Sequence, residues 1–301
     1  MVKIKDNLVG KVFNIKESVV ESDWTTEIKP RTGLFDVNFQ EIWQYRDMWS
    51  MLVLRNITVM YKQTILGPLW FFIQPVLSTV MYMVVFGNIA GIPTDGLPQP
   101  LFYLAGIALW QYFSSCLSST SNTFTSNAGI FGKVYFPRLI MPLATVTSNL
   151  LKFFIQLSLF VAVYVYYVVF TDVQIAVNTY ALLFPVLIIM MAGLALGFGI
   201  LFSSMTTKYR DLTVLLGFFV QLWMYATPVI YPLSFITNEK LKLIMSLNPI
   251  TSIVETFKYG ILGSGSFSWW SLGYSFGFMV VLMGIGIVIF NRVQRSFMDT
   301  V

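Results

Sequence analysis

Apolar positions along this chain run in long unbroken blocks, unlike the alternating or one-faced patterns of a soluble fold. The stretch "FFIQPVLSTVMYMVVF", residues 71–86, holds no ionisable side chain but Tyr82. A window of about 19 residues picks out six such blocks. They predict spans over 68–90, 101–121, 146–170, 180–204, 212–231 and 269–290. Each is long enough for a helix to cross a hydrocarbon core of about 30 Å, and none shows the short alternating segments of a barrel strand. Between Phe39 and Lys62 the pattern is different. Gln40, Gln44, Asp47, Arg55, Thr58 and Lys62 fall near one helical stripe, and Ile42, Tyr45, Trp49, Leu52, Val53 and Met60 near another, with Met51 and Asn56 out of pattern. This predicts an amphipathic helix within 34–66, lying in the membrane interface behind a mixed-charge segment, 1–33. Gly67 and Pro68 then break that helix and start the first span, so "MYKQTILGPLW" reads as an elbow. The fold expected is all-α and integral to the membrane: six transmembrane helices, in a domain over 67–301, preceded by a cytoplasmic interface helix.

Composition agrees, since 56% of residues are hydrophobic and only 11% charged, whereas soluble domains are nearer half and a quarter. Orientation follows from the basic residues. Nine Lys and Arg precede Gly67, others sit in the connections 122–142 and 205–211 and in the tail, and the connections 91–100 and 171–179 have none. The positive-inside rule then places both termini in the cytoplasm. The net charge of +5 is accounted for by this topology, with no need of a nucleic-acid partner. Lys152 is expected near the cytoplasmic start of the third span, its stem reaching back to the headgroups. With a single cysteine, Cys116, no intramolecular disulfide is possible, and with no histidine the usual proton shuttle and metal ligand are missing.

Chemistry narrows the reading further. Apart from Lys152 the spans hold no Asp, Glu, Lys or Arg, which disfavours an ion-coupled carrier. An intramembrane glycosyl- or acyltransferase would need a positioned acid, base, nucleophile or metal, but the acidic residues after Asp47 (Asp95, Asp172, Asp211, Glu239, Glu255 and Asp299) are scattered. No G-x-x-x-x-G-K-[ST] phosphate loop occurs, so any ATP would be bound elsewhere. Aromatics make up 17% of the chain, and Trp43, Trp49, Trp269 and Trp270 suit an interfacial belt. Trp70, Phe71, Phe72, Trp110, Tyr112, Phe113, Trp223 and Tyr225 are candidates to line a path by presenting ring faces to sugars, the alternative for each being helix or lipid packing. Gly193/Gly197 and Gly273/Gly277 have the spacing of close helix contacts. After the fifth span, Pro228 and Pro232 should end or bend the helix and Pro249 should begin another, on which Glu255 and Lys258 are spaced for a local ion pair.

The residues "EIWQYRD" at 41–47, "RNITVMYKQTILGPLWFFIQP" at 55–75, "FGKVYFPRLIMP" at 131–142, "TKYRDL" at 207–212, "TPVIYP" at 227–232 and "NPI" at 248–250 resemble the ABC-2 type permeases that export lipid-linked polysaccharides. Asn56 and Met60 depart from that pattern, which has an acidic residue and Arg there. The resemblance implies a non-enzymatic subunit of the bacterial inner membrane that works as a homodimer with two ABC ATPase subunits, which bind the ATP and Mg. Its cargo would be O-antigen, or alternatively teichoic acid or capsule. It also implies that the loop carrying Lys133, Tyr135, Phe136, Pro137 and Arg138, with Arg55 and Lys62, couples to the ATPase. Read without it, that loop is sooner an ordinary basic tether, and the resemblance is what reverses that reading. The resemblance further implies external gate helices over about 233–263, in a gate region to which Tyr231, Pro232, Pro249, Glu255 and Lys258 belong.

Overall fold

The computed structural model describes residues 39–296 apart from Gln63, Gly132, Asp172, Gln174 and Arg210. The segment 1–33, the expected interface helix before Phe39, Arg210, Asp172 and the side chain of Arg295 lie outside the described residues. The described chain is helical, with no strand among the described residues. In order come α1 (Phe39–Gln44), α2 (Arg46–Tyr61), α3 (Trp70–Tyr82), α4 (Gln99–Ser121), α5 (Thr123–Phe131), α6 (Ile140–Phe170), α7 (Phe184–Thr206), α8 (Asp211–Tyr225), α9 (Glu239–Ser246), α10 (Pro249–Leu262) and α11 (Trp269–Ser296).

Among the described residues, five stretches are long and apolar enough to cross a membrane: Gly67–Ile89, Gln99–Ser121, Ile140–Phe170, Thr179–Thr206 and Trp269–Gln294. The protein is therefore a multi-pass membrane protein. The fifth predicted span differs. It is the 15-residue helix α8, about 22 Å long at 1.5 Å per residue, instead of a helix over 212–231. The helix stops because Pro228 has no N–H to continue the ladder and disfavours helical geometry at Thr227. The turn that replaces it is tied elsewhere, since Asn248 donates to the Ala226 carbonyl at 3.1 Å and to Thr227 Oγ1 at 2.9 Å.

α4 is the central element. Leu101 to Trp110 are all buried, and the helix packs on α3, α6, α7 and α10. Such a helix must lack an outward stripe, and its residues are accordingly apolar or small on every side. α7 lies between α4 and α11. Gly199 makes the first approach possible, because a Cβ there would stand 2.5 Å from Thr120 Cβ. Of the two predicted glycine pairs, only the first is a contact: a Cβ on Gly193 would meet the Met279 sulfur and one on Gly197 would stand 3.0 Å from Leu282 Cγ, whereas Gly273 and Gly277 face open space.

The segment before the elbow is two helices joined at Tyr45, not one continuous helix. Ile42, Leu52 and Val53 are buried, and α2 packs on α6. Elsewhere on its surface α2 exposes Met51, Leu54 and Val59, as α1 exposes Trp43, so the segment is less cleanly striped than the sequence pattern predicts. At the elbow Gly67 takes a φ of 52°, in the left-handed region open to glycine, and Pro68 occupies the first turn that leads into α3. Single cysteines placed at the exposed positions Ser126 and Lys208 should label only from the cytoplasmic side, and at Asp95 and Asn238 only from the opposite side. Labelling of Lys208 from outside would refute this topology.

Candidate functional site

Two adjoining cavities open between α2, α3, α4 and α6 and share Met60 and Asn149. The inner one, about 290 Å³, is walled by Trp70, Phe71 and Gln74 of α3, Gln111, Tyr112 and Ser115 of α4, and Asn149, Lys152, Phe153 and Gln156 of α6. The second, about 440 Å³, continues past Arg55 and Asn56 to Ser126 and Asn127. Together they form a trough of amides, hydroxyls and ring faces between otherwise apolar helices. α6 supplies its polar wall because Asn149, Lys152 and Gln156 are spaced three and four apart on one helix face. Lys152 Nζ donates to Asn149 Oδ1 at 2.7 Å. α6 begins at Ile140, six residues earlier than the predicted span, so Lys152 sits about 18 Å along it. Its side chain lines the trough instead of reaching freely to headgroups.

The predicted path aromatics fall into three groups. Trp70, Phe71 and Tyr112 line the trough, with Tyr112 packed 5.3 Å from Phe153. Trp110, Phe113 and Trp223 are in packing: Phe113 is fully buried with its ring 5.5 Å from Trp110 and 5.2 Å edge-on to Trp223, which also meets Phe198 and Phe219. Phe72 is half-buried outside the trough lining, and Tyr225 is 47% exposed. The trough's amides, Gln74, Gln111, Asn149 and Gln156, are not among the sequence candidates. Polar residues recurring at helical spacing inside an apolar span were the signal that marks them.

The loop between α5 and α6 has an inner and an outer side. Phe136 is buried with its ring stacked 5.6 Å from Phe131, and Pro137 is buried beside it. Arg138 Nη1 donates to the Gln294 carbonyl at 2.7 Å and its guanidinium lies 5.5 Å from the Phe131 ring, which fastens the loop to the end of α11. Lys133, Val134 and Tyr135 are exposed. Of the other two residues in the predicted coupling set, Arg55 is exposed at the second cavity and donates to Asn56 Oδ1 at 3.2 Å, and Lys62 is exposed at the end of α2.

In the predicted gate region, α9 is exposed, but α10 is almost wholly buried against α11, α4 and α7. Pro249 starts α10, with Asn248 Oδ1 capping the Ile250 N–H at 3.2 Å. The Glu255–Lys258 ion pair expected from their spacing is not formed. Lys258, 1% exposed, donates to the Pro228 carbonyl at 2.7 Å, and its Nζ lies 3.6 Å from the centre of the Phe102 ring. Glu255, 2% exposed, accepts from the Ser266 N–H at 3.0 Å and its hydroxyl at 3.3 Å, while Oε1 has no hydrogen-bond partner. The reason is that α10 is packed on both sides of this face, so each side chain satisfies the polar group it meets across an interface. Burial pushes the Lys258 ammonium down to about 8, against the pull of Glu255 and Asp95, and raises the Glu255 carboxyl above its ordinary value, against the pull of Lys258 and Ser266. Tyr231 Oη lies 2.8 Å from the Tyr225 carbonyl and 2.9 Å from the Met245 sulfur, while Pro232 is buried. Asp95, with φ of 51° in a turn, accepts from Ser234 at 2.7 Å and so joins the loop before α4 to this region.

Comparisons with known proteins agree with this architecture. The chain is 28% identical over 221 residues to the O-antigen export system permease protein RfbA of Myxococcus xanthus, covering 73% of this chain and 82% of that one. It is 26% identical over 257 residues to RfbA of Klebsiella pneumoniae, covering 84% and 94%. With the polysialic acid transport protein KpsM of Escherichia coli it shares 22% over 259 residues, covering 83% and 94%. The pattern that defines ABC-2 type transporters matches residues 48–262, from α2 through the end of α10, and with it the elbow, the trough and the buried α10: the chain belongs to the ABC-2 type transporter family.

Proposed function

We propose that this chain is the membrane-spanning permease subunit of an ATP-driven exporter that carries a lipid-linked polysaccharide, O-antigen foremost, outward across the bacterial inner membrane. The observation that carries the reading is the family match together with permeases and polysaccharide transporters as its relatives. The trough supports it, because ring faces and amides suit a sugar that must be held weakly and released. Two copies of the chain flank the route, both termini are cytoplasmic, and two ABC ATPase subunits bind the ATP and Mg. The likeness to KpsM makes a capsule polysaccharide the second reading, with teichoic acid as a further alternative. Co-expression with an ABC ATPase encoded beside it, if the neighbouring reading frame carries a phosphate loop, co-purification, and a glycan-transport assay in vesicles test the proposal. No ATPase association and no ATP-dependent movement of O-antigen or capsule glycan would refute it.

The two sides of the α5–α6 loop separate coupling from folding. Tyr135→Ala, at an exposed position, should leave thermal stability within about 0.5 kcal/mol of the parent. It should nonetheless weaken ATPase association or transport-coupled hydrolysis. Phe136→Ala removes a buried ring and should cost about 3 kcal/mol of stability. A Lys133/Tyr135 double alanine variant that exports at the parental rate would take this loop out of the mechanism.

A further inference from the structure

A smaller cavity, of about 40 Å³, lies against the buried α10 and away from the trough. Apart from Leu233 and Glu255, every residue lining it is Ser or Thr, drawn from the end of α9, from α10, from the loop after it and from the start of α11. Two oxygens on one face of α10, Glu255 Oε1 and Thr251 Oγ1 one turn before it, are buried and have no hydrogen-bond partner among the described residues. Both side chains line this cavity. The other carboxylate oxygen, Oε2, is already engaged, since it accepts from the Ser266 N–H and hydroxyl. Gly265, at a φ of 115°, lets the loop close in to make those bonds: a Cβ there would stand 3.2 Å from Oε2. Lys258 is no contact partner for the carboxylate, because its ammonium is directed to the Pro228 carbonyl and the Phe102 ring.

Buried oxygens without a partner are costly, and what relieves them here must be a donor or a cation, since an anion would meet Glu255. Hydroxyl and carboxylate oxygens are hard ligands, suited to alkali and alkaline-earth ions more than to the metals that take imidazole or thiolate. Charge decides between those two groups. One carboxylate lines the cavity, and among the described residues no three His, Cys, Asp or Glu gather to hold a metal. Calcium takes roughly six to eight oxygens and gains affinity with each charged ligand, so a single negative charge is better matched by a single positive one. Size agrees, because about 40 Å³ holds a small ion with a water or two. Ser268 at the rim is exposed and gives the ion a way in.

From this arrangement we infer that the cavity is a sodium site, with Glu255 Oε1 and Thr251 Oγ1 as its inner ligands and further oxygens supplied by the hydroxyls of Thr256, Ser268 and Ser271. An ion bound there ties α10 to the loop behind it and to the start of α11, and so stabilises the region packed after α8. The site does not depend on what the chain exports. An ordered water is the other small occupant that fits, and the test separates the two.

The full-length chain in phosphatidylcholine nanodiscs is titrated with sodium chloride at constant pH, choline chloride holding the ionic strength fixed, and the thermal unfolding midpoint is read. Sodium should raise the midpoint saturably, by about 3 °C or more at a hundredfold excess over its half-saturating concentration. Potassium, too large for so small a cavity, should need at least about tenfold more to do the same. Thr251→Val, which keeps the shape and loses the hydroxyl, should raise the half-saturating sodium concentration at least about tenfold, and Thr251→Ser should retain the parental value. Glu255→Gln should abolish the response. No response of the parental chain to sodium would mean that the cavity holds water only, and potassium acting at the same concentrations as sodium would mean an effect of salt without a site; either overturns the assignment. So would a Thr251→Val chain that responds like the parent. If Glu255→Gln does not fold, the parental preference for sodium over potassium and the two Thr251 variants decide the matter without it.

Discussion

Raising the pH from 8 to about 10.5 should stabilise the parental protein, and Lys258→Met should abolish that gain. Lys258 is buried on α10, outside the membrane-crossing stretches, and burial lowers its pKa from 10.5 to about 8. Between those values the unfolded chain binds a proton that the folded one does not, so stability rises with pH across the window and is lost as pH falls through 8. A displacement of about 2.5 pKa units corresponds to about 3 kcal/mol. Glu255 has the opposite sign. Its folded pKa is raised, so its protonated form favours the fold and stability falls as pH climbs above 4.5 through the raised value. Glu255→Gln should therefore remove the acid limb and, by taking away the charge that holds the Lys258 pKa up, extend the alkaline limb to lower pH. Thermal unfolding midpoints of the two variants against pH measure this directly; an alkaline limb that persists in Lys258→Met would show that Lys258 is not the group responsible.

Gly106→Ala should be the most damaging of the single-methyl additions. A Cβ at Gly106 would stand 2.6 Å from the Val229 carbonyl oxygen and 3.1 Å from Val229 Cγ1. Backbone in that turn cannot easily retreat, because Asn248 and Lys258 hold the residues just before it. The expected cost is about 3 kcal/mol of stability, at the upper end for overpacking. Export should fall with it, since the turn joins α8 to the buried α10. Gly277→Ala is the control. It meets no atom within 4 Å and should change stability by no more than about 0.5 kcal/mol. Equal behaviour of the two variants would mean that the α4 contact with this turn does not hold the molecule together.

Much of the fold was legible in order along the chain. Four of the six predicted spans, 68–90, 101–121, 180–204 and 269–290, coincide within a few residues with crossing stretches. A fifth, 146–170, is the end of a helix that begins at Ile140, because "IMPLAT" continues the apolar helix into a region that the basic residues made look like loop. The remaining one ended early at Thr227-Pro228. That dipeptide was visible as a breaker, but nothing local told whether it would bend the helix or stop it. The site was less legible. Aromatics are conspicuous in a sequence, yet Phe113, Trp110 and Trp223 pack against one another and against Phe198, while the trough owes its character to amides that carry no signal one at a time.

By itself, then, the sequence determined that this chain enters the membrane, where it turns, and that it is helical throughout the described region. Those are local properties: a block of apolar residues leaves the backbone no partner but itself, and a Gly-Pro step ends a helix whatever surrounds it. Only the tertiary structure decided what the few buried polar groups do. Glu255 and Lys258 are three residues apart, yet they part company for Ser266 and for Pro228, 11 and 30 residues away. Gln111, Lys152 and Gln74 come from three helices and share one trough. Partners of this kind are chosen by whichever surface closes over a side chain when helices pack, and that surface is set by distant residues that no local pattern records.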